Sequence, residues 1–165
     1  MIIRYIQRTF WFVGLVLLQV LALNHIALLG VATPFLYLYF LLKLDSETSR
    51  QEQMLWAFAL GLTVDVFGDT GGLHVMASVF VAFVRTPLLR LFTPRDMLEN
   101  FEPSLSALGV APFLRYLFAT IFLFCSVLFV LDFFTFTQPL MLLLHILTST
   151  LLTVVCMVAI EGIRK

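Results

Sequence analysis

Residues 113–133 read FLRYLFATIFLFCSVLFVLDF, with Arg115 near one end, Asp132 near the other and no charge between them. Crossing about 30 Å of hydrocarbon takes about 20 helical residues, and lipid forces any span to be a helix or a closed barrel. The stretch shows no strict alternation of apolar and polar residues, so it reads as a membrane helix. Working outward, five more apolar runs read the same way: 140–162, 73–92, 54–67, 27–43 and 5–23. The run at 54–67 is short, and 27–43 carries Pro34. The expected fold is therefore all-α: an integral membrane protein of six transmembrane helices in a single domain, 1–165. Composition agrees. The chain is 61% hydrophobic and 12% charged, whereas a soluble domain is about 45–50% apolar and about 25% charged.

The charges are balanced, Lys+Arg 10 against Asp+Glu 10, so net charge points to no nucleic-acid partner. Their placement says more. Lysine and arginine favour the cytoplasmic side of a membrane. Arg4 and Arg8 stand at the start of the first span, Lys43 and Arg50 between the second and third. Arg90, Arg95 and Arg115 lie around the loop between the fourth and fifth, and Arg164 and Lys165 close the chain. The alternate connections, 24–26, 68–72 and 134–139, hold neither lysine nor arginine. Six spans with both termini cytoplasmic fit this pattern. Arg4 and Arg8 ahead of an apolar run could mimic a secretory signal. No small-x-small cleavage site follows, and the run is expected to stay as a membrane helix.

Two polar segments interrupt the bundle on the cytoplasmic side, 45–53 and 93–112. Thr93-Pro94-Arg95-Asp96 reads as a helix start, a capping hydroxyl followed by proline and an acid. Met97, Leu98, Phe101, Leu105 and Leu108 recur at helical spacing, although Pro103 should break or restart the helix. A short amphipathic surface helix is expected, with Met97, Glu99 and Phe101 as candidate partner contacts. Its acids Asp96, Glu99 and Glu102 suit a protein surface better than anionic lipid headgroups.

On the third helix, Ala57, Gly61 and Asp65 recur every four residues, two small side chains and then a carboxylate on one face. Small residues let helices approach, and a polar group in lipid should face the bundle interior. Asp65 reads either as an ion or ligand site or, preferably, as a packing carboxylate that hydrogen-bonds neighbouring helix ends. On the packing reading Asp65→Asn should be nearly silent. The helix ends at Gly68-Asp69-Thr70-Gly71-Gly72, residues that tolerate a tight turn.

Gly61-Leu62-x-x-Asp65, a glycine-containing turn and Gly72-Leu73 opening the next helix resemble the signature of the rod shape-determining protein MreD family. Leu21-Ala22-Leu23-Asn24 followed by the apolar run 26–42 is also similar, and length and span number agree over nearly the whole chain. The turn 68–72 is more polar than expected of that family, so residue-level correspondence stops at Gly61, Asp65 and Gly72. The resemblance implies a fold like the substrate-binding components of energy-coupling-factor transporters. It also implies a scaffold in the cell-elongation complex, not an enzyme, supporting lateral peptidoglycan synthesis. The partners it implies are MreC, the MreB cytoskeleton, a SEDS-type glycosyltransferase and a class B penicillin-binding protein. The competing expectation is the substrate-binding membrane subunit of a small-molecule, vitamin-type transporter.

The remaining chemistry-bearing residues are sparse. Arg85 lies about 18 Å along the fourth helix, at 1.5 Å per residue, too deep to meet Asp65. Snorkelling to the cytoplasmic headgroups is the preferred reading over a transport-pathway arginine. His25, His74 and His145 fall in the outer half, as do Asp65, Asp69 and Asp132, but no HxxxH or HExxH spacing supports a metal site. Cys125 and Cys156 sit in apolar runs and read as small core residues. No P-loop, nucleophile elbow or dinucleotide fingerprint is present, and neither catalytic residues nor cofactor is expected.

Overall fold

The computed structural model describes residues 2–22, 25, 30, 32–96, 100–134 and 137–164. Seven helices and no strands occur among them: α1 Ile2–Leu21, α2 Leu38–Leu42, α3 Arg50–Gly68, α4 Leu73–Phe92, α5 Leu105–Leu108, α6 Val110–Asp132 and α7 Pro139–Arg164. The helices α4, α6 and α7 are long and apolar enough to cross a membrane. Proline opens α7 at the one position where its missing N–H is harmless. α4 packs between α3 and α6, α6 packs on α7, and α1 leans on α3. Apolar side chains also cover the outside, among them Phe58 and Val66 on α3, Phe83 on α4 and Leu151 on α7. A water-facing surface would not carry that belt.

Three expectations need correction. The second span does not form a helix across 27–43. Residues 26–29 and 31 lie outside the described set, Ala32–Leu36 is not helical, and regular helix is confined to Leu38–Leu42. Pro34 explains the break, since it has no N–H to donate and disfavours the helical region for Thr33 before it. The segment is nevertheless the centre of the molecule, buried without interruption from Pro34 to Leu42. Secondly, the linker 45–53 is half helix. α3 begins at Arg50, where the Ser49 hydroxyl accepts from the Glu52 N–H at 3.2 Å, a serine cap on an orphan donor. Thirdly, the segment after α4 is not a surface helix at its described positions. Asn100–Ser104 is non-helical and helix resumes only in the four residues of α5, after Pro103. Phe101 instead pairs with the linker: Ser46 N–H donates to its carbonyl at 3.0 Å and its own N–H donates to Ser46 Oγ at 3.2 Å.

Unpaired backbone groups cost roughly 1–3 kcal/mol each when buried, so a non-helical buried segment must find partners outside itself. It finds them on α1 and α7. Gln19 is fully buried; its amide donates to the Pro34 carbonyl at 3.0 Å and accepts from Leu36 N–H at 3.0 Å. Ser149 Oγ accepts from Thr33 N–H and Thr153 Oγ1 from Phe35 N–H, both at 3.2 Å. The Thr153 hydroxyl donates back to the Ser149 carbonyl at 2.7 Å, which turns its lone pairs toward the central segment.

Candidate functional site

The turn joining α3 to α4 gathers the three motif residues. Asp69, Gly71 and Gly72 have φ of +52°, +61° and +94°, and a side chain at Gly72 would be strained. Gly72 is the cap residue of α4 and has no side chain to offer. Asp65 does that work from the neighbouring helix: Oδ1 accepts from His74 N–H at 3.1 Å and Oδ2 from Val75 N–H at 2.9 Å. These are two of the orphan donors in α4's first turn, where a negative charge is also favoured by the helix dipole. The Thr70 hydroxyl donates to Oδ1, and His74 Nδ1 lies 2.9 Å from the same oxygen.

Gly61 makes this reach possible. A Cβ at Gly61 would stand 2.5 Å from the Val75 Cα and 2.7 Å from the His74 carbonyl oxygen. Such distances mean that the helices touch backbone to backbone. Ala57, one turn earlier on the same face, is fully buried as well. With both carboxylate oxygens used, Asp65→Asn is expected to cost stability, where the sequence alone suggested near silence: an amide has one acceptor oxygen, so one of the two N–H groups would face an NH₂.

Arg85 also differs from expectation. It does not snorkel; it is 0% exposed, and one turn beyond it Leu89 on the same face of α4 is buried too. Its Nη2 donates to the Leu42 carbonyl at 3.2 Å and to the Leu44 carbonyl. These groups lie at the C-terminal end of α2, where carbonyls lack intrahelical donors and a cation is favoured. Tyr116 adds a donor to Leu42 at 3.4 Å.

A second polar cluster, at the end where Arg8 and Arg164 lie, was not foreseen from the sequence. Glu161 accepts from the Tyr39 hydroxyl at 2.5 Å, from Lys43 at 3.1 Å and from Leu105 N–H at 3.4 Å. Glu102 lies 3.2 Å from Lys43 and 3.3 Å from Arg164, so it is engaged within the chain. Arg8 joins α1 to the linker and α3 through Asp45 at 2.6 Å and Glu52 at 2.9 Å. The signal for Glu161 was present: an acid in the last turn of an apolar helix opposes the dipole and needs a cationic partner. Of the candidate partner contacts, Met97 and Glu99 lie outside the described residues, and Phe101 is half-buried against the core.

At the opposite end, a cavity of about 320 Å³ is lined by His25, Thr33, Phe35, Thr70, His74 and Asp132, among others. His145 stacks near Phe129 and Phe133, at 5.6 and 5.3 Å between ring centres. Among the described residues no group of three or more histidine, cysteine or acidic side chains converges as a metal would require. No family model matches the sequence, and no curated protein or solved structure matches the chain.

Proposed function

We propose that the chain is an inner-membrane scaffold of the MreD type that holds the transmembrane helix of MreC within the cell-elongation machinery. The observation that carries this reading is the use made of the motif. Asp65, the one motif residue with reactive chemistry, has both oxygens committed to the start of α4, and Gly61 fixes the α3–α4 approach. The motif builds a frame. In this reading α1, α3, α4, α6 and α7 each cross the bilayer and the buried segment around Pro34 makes the sixth passage. Non-helical backbone is tolerable at that depth because protein surrounds it. An even number of passages is supported by the cavity that Arg164, at the end of α7, lines together with Arg4 and Arg8 in the first half of α1. The lysine and arginine pattern makes that side cytoplasmic.

Helices in lipid associate by close packing and a few hydrogen bonds, without a hydrophobic drive between them. The MreC helix is therefore held mainly within the membrane. MreB, the SEDS glycosyltransferase and the class B penicillin-binding protein are reached through the same assembly. Co-purification in detergent with the isolated MreC transmembrane segment tests this. Binding of that segment is expected; binding by the periplasmic part alone sinks it.

A second reading, a substrate-binding subunit of a small-molecule transporter, is favoured by one observation: the 320 Å³ cavity beside a broken central segment. Interrupted helices often border transport sites. A small molecule retained in stoichiometric amount by protein from native membranes would favour it over the scaffold.

A further inference from the structure

At the cytoplasmic end a cavity of about 430 Å³ opens between α1, the end of the central segment and the stretch 100–102. One face of α1 forms its wall. Arg4, Arg8, Trp11 and Leu15 all line it, and their spacing of four, three and four residues stacks them along one side of the helix. The order matters: two guanidiniums at the helix start, then an indole, then an aliphatic chain. That is the profile of a membrane interface read from headgroup to hydrocarbon.

The charges leave one cation, Arg4, without a partner among the described residues. The lining holds four cations, Arg4, Arg8, Lys43 and Arg164, and two carboxylates, Asp45 and Glu102. Asp45 and the adjacent Glu52 are both taken by Arg8, at 2.6 and 2.9 Å. A single oxygen of Glu102 serves Lys43 and Arg164, at 3.2 and 3.3 Å, and Glu161, outside the lining, serves Lys43 as well, at 3.1 Å. Arg4 has no ion pair among the described residues. A phosphodiester carries one negative charge and accepts from two guanidiniums at once. Trp11, with the Arg164 guanidinium 5.2 Å over its ring, is 43% exposed, and Leu15 one turn further along α1 is buried, so an acyl chain passing from Trp11 to Leu15 leads away from the charge.

We propose that this cavity seats one glycerophospholipid, its phosphodiester on Arg4 and Arg164 and one acyl chain along Trp11 and Leu15. The proposal rests on the membrane placement of α1 given above, and not on the identity of any protein partner. A free phosphate would use the same cations but would have no use for the apolar wall.

The chain has two tryptophans, so Trp56→Phe leaves Trp11 as a reporter at the site. Purified full-length protein in detergent is titrated with phosphatidylglycerol carrying brominated chains, which quench indole on contact. Saturable quenching at one lipid per chain is expected. The double variant Arg4→Gln, Arg164→Gln removes both charge-assisted contacts and should weaken binding well over tenfold, each contact being worth about tenfold or more, while Arg4→Lys should keep most of it. Brominated diacylglycerol, with the same chains and no phosphate, should bind at least about tenfold more weakly on the same grounds. Equal quenching by diacylglycerol, or binding indifferent to Arg4 and Arg164, overturns the proposal. Complete competition by millimolar inorganic phosphate overturns the lipid in favour of a phosphate site. Native mass spectrometry of the unmutated chain gives a readout independent of the Trp56 change: retention of one phospholipid supports the site, and retention of none counts against it. The scaffold reading is decided separately, by the MreC segment.

Discussion

Asp65 and Arg85 are the two charges placed deepest along α3 and α4, and they solve opposite halves of one problem. Asp65 meets the exposed N–H groups at the start of α4; Arg85 meets exposed carbonyls at the end of α2. Each stands where the helix dipole favours its sign. They differ in completeness. The carboxylate is surrounded by donors, from His74, Val75 and Thr70, whereas Arg85 Nε and Nη1 make no hydrogen bond among the described residues. The lesson is that an ionised group inside an apolar bundle need be neither a catalytic group nor half of a salt bridge. It can finish a helix that the chain could not finish locally, Gly72 having no side chain and α2 being only five residues long.

The sharpest way to break this comparison is to part the helices that Asp65 bridges. Gly61→Leu drives a side chain into the backbone of Val75 and separates the carboxylate from both N–H groups. A loss of about 3 kcal/mol or more is expected from overpacking and the orphaned donors together. Thermal unfolding in detergent measures it, and a neutral result would mean that the α3–α4 contact is not tight.

Next comes Asp65 itself. Asp65→Leu leaves two N–H groups without acceptors, for about 2–5 kcal/mol, and Asp65→Asn leaves one, for about 1–3 kcal/mol. The same melting experiment should rank Leu below Asn below the unmutated chain. If Asn equals Asp in stability, the carboxylate is not capping two donors.

Arg85→Met should have the smallest effect, about 1–2 kcal/mol. It orphans carbonyls at Leu42 and Leu44 but removes the penalty of a buried cation. A larger loss than for Asp65→Leu would reverse the comparison and point to an anion held by Nε and Nη1.

Much of this frame was legible in advance, for reasons that differ by element. The apolar runs that became α4, α6 and α7 announce themselves because length and hydropathy are local properties. The small-small-acid face of α3 was readable because helical spacing alone puts Ala57, Gly61 and Asp65 in line. The central segment was not readable. Its composition is that of a helix, and only the donors and acceptors of Gln19, Ser149 and Thr153, on remote parts of the chain, make an extended path affordable for Thr33–Leu36. Arg85 failed for the same reason, since snorkelling is the right default for an arginine whose nearby carbonyls are unknown. The expected helix after α4 allowed for a break at Pro103 but not for Ser46 as a partner for Phe101.

The central segment also sets a timetable. A ribosome delivers residues 32–44 to the membrane long before α7 exists, yet the groups that receive its backbone come 116 residues later at Ser149 and 118 residues later at Thr153. The acid that ties down Tyr39 comes 122 residues later, at Glu161. On the proposed six-passage reading, bare peptide groups would until then sit in hydrocarbon at a cost of several kcal/mol each. That reading has the early segment wait in water, at the interface or in the insertion machinery, and enter the bundle after the final helix is made. Assembly closes from the C-terminal end backwards, and a nascent chain cut short before residue 149 should remain open around an uninserted centre.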